Sequence, residues 1–173
     1  MKHLFMLVTL LAAIVAANAF TSLEIETNAT NGVETFRLYT VKPVAKNLGV
    51  FAFMVVTEGW GQAYAGLDYT PIKQLDLGLG YGVDTAGDNH RIGGYAIVHE
   101  GRFAIKHFFE NEGSGEFHQT FATYQATDKL TIGVDDHKFK GTGPMIDYRI
   151  SKSETIRVVA FPETTCVSLF TTF

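Results

Sequence analysis

The sequence predicts an all-β protein, a closed antiparallel β-barrel of about twelve strands with short loops that spans a membrane, and three observations carry that prediction. Extended runs of roughly ten residues, separated by turn chemistry, recur from residue 23 to the C-terminus, while few windows show a helical period. In the run 75–83, Leu75, Leu77, Leu79, Tyr81 and Val83 share one face, and Asp76, Gly78, Gly80 and Gly82 share the other. That reverse face is too small and too acidic for an ordinary solvated sheet surface, so the apolar face is assigned to lipid and the polar face to the barrel interior. Finally, the run lengths match the 9 to 11 residues that a tilted strand needs to cross a bilayer.

Each element follows from the same reading. Residues 23–27 form the first strand, and Asn31-Gly32 marks the hairpin turn into 33–41. The link 42–47 leads to 48–57, whose two faces are both apolar, so its register is left open. After Glu58-Gly59 comes the hairpin on which the pattern rests. Ala63, Ala65, Leu67 and Tyr69 alternate with Gln62, Tyr64, Gly66 and Asp68, and the link 70–74 contains Pro71, which has no ladder donor. The turn 85–89 then feeds a strand at 91–99. A tight Glu100-Gly101 turn precedes 103–110, where Phe103, Ile105 and Phe109 oppose Arg102, Lys106 and Glu110 and His107 falls on the apolar face.

The turn 111–115 opens a strand at 116–125. Residues 126–129 turn into Leu130, Ile132 and Val134, which oppose Thr131, Gly133 and Asp135. Residues 136–143 read as the longest loop. Ile146, Tyr148 and Ile150 then oppose Asp147 and Arg149, and Ile156, Val158 and Ala160 oppose Arg157 before a last strand at 166–173. The count is about twelve, with ten as the alternative. An even count places both termini at one end of the barrel.

Residues 1–19 read as a signal peptide and 20–173 as the barrel domain. Lys2 and His3 precede an apolar run, and Ala17-Asn18-Ala19 has the small-x-small form of a cleavage site. Without Lys2 the chain carries 13 Lys and Arg against 18 acids, which argues against nucleic-acid partners. Cys166 is the single cysteine, so no intramolecular disulfide is expected. No later stretch is apolar enough for a spanning helix, so insertion must use strands.

The predicted inner charges are Glu24, Glu26, Arg37, Asp68, Asp76, Asp84, Arg102, Lys106, Glu110, Asp135, Asp147, Arg149 and Arg157. A Lys or Arg facing lipid costs roughly 2–4 kcal/mol at the midplane, so their segregation from Leu, Ile and Phe places them in a polar interior. Tyr39, Trp60, Tyr69, Tyr124 and Tyr148 lie near predicted strand ends, as interface aromatics do. The spacing Gly78-x-Gly80-x-Gly82 has period two and lacks the strand-to-helix context of a phosphate loop. Asp135-Asp136-His137 fits no defined cation loop. A hydrolase of the Ser/His/Glu kind would need a nucleophile bonded to its base at the lipid surface, with His118 the candidate base.

The signal peptide, the alternating strands, the motif Leu-Asp-Leu-Gly-Leu-Gly-Tyr-Gly at 75–82 and the terminal Phe173 resemble a small, porin-like outer-membrane β-barrel of Gram-negative bacteria. The resemblance implies an outer-membrane location, partners among outer-membrane lipids and the barrel-assembly machinery, and no enzyme activity or cofactor. The expected function is a narrow passive pore for small hydrophilic solutes or ions, with the inner charges Arg37, Asp68, Asp76, Arg102, Lys106, Asp147, Arg149 and Arg157 as its lining. A non-conducting structural or adhesive barrel, a lipid-modifying hydrolase and a soluble barrel for an apolar ligand are the alternatives.

Overall fold

In the computed structural model, which describes residues 20–86, 90–111 and 113–173, twelve antiparallel strands close into one barrel. The expected signal peptide lies outside the described residues, as does part of the 85–89 turn. Each strand pairs with its neighbours in sequence, and β1 (Phe20–Asn28) closes the circle against β12 (Thr165–Thr172). Between them run β2 (Glu34–Ala45), β3 (Leu48–Thr57), β4 (Trp60–Ile72), β5 (Leu75–Asp84), β6 (His90–Glu100) and β7 (Phe103–Asn111). The circuit continues through β8 (Phe117–Gln125), β9 (Leu130–His137), β10 (Gly141–Arg149) and β11 (Glu154–Ala160). Closure leaves no unpaired edge, the condition a sheet must meet inside lipid, where no water satisfies a free N–H or C=O.

Hairpin links are as short as two residues because glycine supplies the left-handed turn conformation. Gly59 has φ 73° between β3 and β4, and Gly101 has φ 59° between β6 and β7. Phe20 and Phe173 lie at one end of the barrel, the terminus end; the links 58–59 and 138–140 lie at the far end.

The inside-out pattern holds on the strand that predicted it. Leu77, Leu79 and Tyr81 are exposed on the outer surface, whereas Gly78, Gly80 and Gly82 are buried facing the lumen. The outward set continues around the barrel with Leu67, Ile92, Val98, Ile105, Ile132, Ile146 and Leu169. Register transmits the pattern: Gly78 sits opposite Tyr95 and Asp68, and Gly80 opposite Gly93 and Gly66.

The structure departs from the sequence expectations at several ends. β2 continues through Lys42 to Ala45, past a register shift at Pro43/Ala45, and β4 continues through Pro71 to Ile72, past a shift between Tyr69 and Ile72. In both strands a bulge tolerates the proline, which cannot donate to the ladder. The predicted long loop at 136–143 is instead a tight hairpin: Asp136 and His137 end β9, Gly141 starts β10, and Gly141 pairs with His137. Gly141, at φ 82°, permits that turn.

Candidate functional site: the barrel lumen

The lumen is built from one parity of each strand. β3 resolves its ambiguous register by turning Gly49, Phe51, Phe53 and Val55 inward, because Phe51 pairs with inward Val41 and Gly66. β6 contributes Arg91, Gly93, Tyr95, Ile97 and His99; β7 contributes Ala104, Lys106, Phe108 and Glu110, matched in register to Thr123, Phe121, Gln119 and Phe117 of β8.

Toward the far end, Arg91 organises a buried polar network. Its guanidinium lies 2.9 Å from Asp84 Oδ2 and 3.1 Å from Glu110 Oε2, and Nε donates to Tyr64 Oη at 2.7 Å. It also donates to Ser114 Oγ and, at 3.0 Å, to the Gly115 carbonyl, drawing the β7–β8 link over the lumen. Gln62 Nε2 donates to Glu110 Oε1 at 2.8 Å. Two carboxylates and one fully buried guanidinium share these bonds, and removal of that cation would strand both acids in a low-dielectric site.

At mid-height an aromatic layer crosses the lumen. Tyr95 donates to Asp68 Oδ2 at 2.6 Å and accepts from Tyr39 Oη at 3.0 Å. Its ring makes edge contacts with Phe51 at 5.4 Å and lies 6.1 Å from Phe108, which meets Phe121 edge-on at 6.1 Å. Glycine makes room for this layer: a Cβ at Gly78 would lie 2.1 Å from the Tyr95 ring. Phe51, Tyr95 and Phe121 are each less than a tenth exposed although they face the interior, so the lumen is filled at this height.

On the β1–β2 side, Arg37 Nη1 lies 3.2 Å from Glu24 and 3.4 Å from Glu26, and Lys140 reaches Glu26 at 2.7 Å from the β9–β10 link. Arg157 forks onto Asp147 through Nε (2.7 Å) and Nη2 (2.9 Å) while its guanidinium lies between the rings of Phe121 (4.8 Å) and Phe170 (4.6 Å). Toward the terminus end a cavity of about 290 Å³ remains, lined among others by His99, Arg102, Lys106, Thr123, Gln125, Asp147 and Arg157.

The proposed lining residues therefore lie in different settings. Arg37, Asp68, Asp76, Lys106, Asp147 and Arg157 face inward. Arg102 stands in the β6–β7 turn at the lip of the cavity. Arg149 has the inward parity but is exposed at the rim, beside Asp128, Lys129 and Lys152, where its strand ends. Tyr39 corrects an expectation: it belongs to the lumenal layer and not to an interface belt, whereas Tyr69 and Tyr148 are exposed on the outer surface. The reading of the sequence passed over Arg91, Tyr95, Phe108, Phe121 and Lys140. Parity with Ile97 and His99 could have placed Arg91 and Tyr95; Lys140 was hidden in a stretch assigned to loop.

The outward histidines bear on the hydrolase alternative. His107 Nδ1 lies 2.9 Å from Thr120 Oγ1 on the outer face, Thr120 pairs with Asp136, and Asp136 Oδ1 accepts from Thr142 Oγ1 at 2.5 Å. The imidazole is thus partnered by Thr120 and the carboxylate by Thr142, so Asp136 does not orient the imidazole as a base would require. His118 faces outward opposite Phe109. Among the described residues no cluster of His, Cys, Asp and Glu is arranged to hold a metal ion. Asp135 and His137 turn inward while Asp136 turns outward, so the run Asp135-Asp136-His137 is split between two faces.

A closed twelve-strand antiparallel barrel, apolar outside and charged within, gives the molecule a porin-like barrel fold. Among solved structures it is similar to the KdgM porin, at 11% identity, a TM-score of 0.61 and coverage of 89% of this chain and 98% of that one. It is likewise similar to the NanC porin (9% identity, TM-score 0.54, 88% and 98% covered). A third similar structure is the outer membrane phospholipase A from Escherichia coli (10% identity, TM-score 0.54, 90% and 95% covered). No family model and no curated protein matches the sequence.

Proposed function

We propose that the protein is a bacterial outer-membrane barrel that passes small hydrophilic solutes or ions through a narrow lumen. The observation that carries this reading is the segregation of charge: Arg37, Lys106, Asp147 and Arg157 face inward while Leu67, Leu79, Ile105 and Ile146 face out. Similarity of fold to two porins supports it, and one of the similar structures is the KdgM porin in complex with disordered oligogalacturonate. Passage in this reading follows the charged walls beside the aromatic layer, so conductance is small and displacement of Tyr95 or Phe108 increases it.

The filled mid-height of the lumen favours a second reading, a non-conducting structural barrel. Planar-bilayer recording of refolded protein separates the two. Discrete conductance steps are expected for the pore, and their absence in both the native chain and a Tyr95→Ala variant would leave the structural barrel.

A further inference from the structure

We propose that the cavity at the terminus end is a binding site for a small multivalent oxyanion. The cavity brings together three cations, Arg102, Lys106 and Arg157, with one carboxylate, Asp147. Asp147 is already occupied, since both of its oxygens accept from Arg157. Arg157 is held in place by that fork and by the two rings on either side of it, so it presents a fixed positive charge to the cavity.

Lys106 is the residue without a structural task. Among the described residues it forms no hydrogen bond or ion pair and no buried side-chain nitrogen or oxygen is left unsatisfied, so its ammonium opens into the cavity. Lys106 shares this wall with the Arg157 guanidinium, whose repulsion acts beside the attraction of an Asp147 already engaged by Arg157, and an entering anion would relieve that repulsion. Arg102 donates one bond to the Ala126 carbonyl at 3.3 Å and keeps its remaining donors at the lip. Gln125, on the same wall, adds a neutral amide donor, whereas the Thr123 hydroxyl already donates to the Ala104 carbonyl.

The cavity opens toward the terminus end, and Phe121 in its inner wall continues into the aromatic layer with Phe108 and Tyr95. The surrounding links and the strand ends beside them carry Lys46, Lys73, Lys129, Arg149 and Lys152 against Glu100, Asp128 and Glu154, so this end has an excess of positive charge in a chain whose net charge is −4. An anion binds here whether or not the lumen conducts, so the inference concerns the same interior as the pore reading without depending on current.

Calorimetric titration of the folded barrel in zwitterionic detergent with tripolyphosphate tests it, with heat-modifiable gel mobility verifying the fold of each variant. Saturable binding is expected for the native chain. Lys106→Gln weakens it about tenfold or more, by loss of one charge-assisted contact; Arg102→Gln weakens it severalfold, and Lys138→Gln at the far end leaves it unchanged. Absence of saturable binding by the folded native chain would overturn the proposal. So would native-like binding by folded Arg102→Gln and Lys106→Gln, or an equal loss in Lys138→Gln, which would mark diffuse surface attraction. If Lys106→Gln does not fold, Arg102→Gln decides.

Discussion

Replacement of Gly78 by alanine tests the packing of the lumen at its tightest point. The new methyl would stand 2.1, 2.4 and 2.6 Å from three atoms of the Tyr95 ring, separations that no side chain tolerates, so the ring must move. Its hydroxyl would then leave Asp68, now 2.6 Å away, and Tyr39, at 3.0 Å. Overpacking costs about 1–3 kcal/mol and a hydrogen bond to a charged group about 1.5–3 kcal/mol. The expected loss is therefore about 3–5 kcal/mol, read as a lowered midpoint in guanidinium unfolding from lipid vesicles. A double-mutant cycle isolates the cause: with Tyr95→Ala in place the ring is gone, and Gly78→Ala should then cost less than about 0.5 kcal/mol, a coupling above 2 kcal/mol. A Gly78→Ala variant within about 0.5 kcal/mol of the native chain, or costs that simply add in the cycle, would refute the claim that this glycine exists to admit the ring.

Arg91→Met should destabilise the barrel by about 3–5 kcal/mol, because Asp84 and Glu110 then lie buried without their cation; the same unfolding assay reads it. Leu79→Arg should cost roughly 2–4 kcal/mol from a position near the middle of β5, measured by unfolding from vesicles, whereas a soluble barrel with Leu79 on a wet surface would be indifferent. The Cys166 thiol, only 1% exposed, should react with a maleimide in unfolded protein and stay protected in the folded barrel. Unheated samples in cold detergent should migrate apart from boiled ones on a gel, as a closed hydrogen-bonded barrel with no edge to fray requires.

The period-two pattern alone determined the barrel. Strand side chains must alternate, and the alternation of Leu75, Leu77 and Leu79 with Asp76, Gly78 and Gly80 had no arrangement compatible with an ordinary soluble surface; the inward parity of Arg37, Asp147 and Arg157 followed from the same rule. Strand ends were less legible. Asp136 and His137 look like loop residues by composition, yet β10 pairs with them because Gly141 turns the chain within three link residues, 138–140.

What only the tertiary structure decided is who meets whom across the lumen. Alternation placed Asp68 inward, while Tyr39 was read as an interface aromatic and Tyr95 was passed over; nor could it show that the three meet, because they stand on β2, β6 and β4 and are joined by barrel curvature and not by local pairing. The same holds for Arg91, which gathers groups from β4, β5, β7 and the β7–β8 link. A one-dimensional pattern specifies the face of each residue, but closure into a cylinder sets the distances between faces. Those distances make this lumen a packed layer of rings and ion pairs with a basic recess at one end.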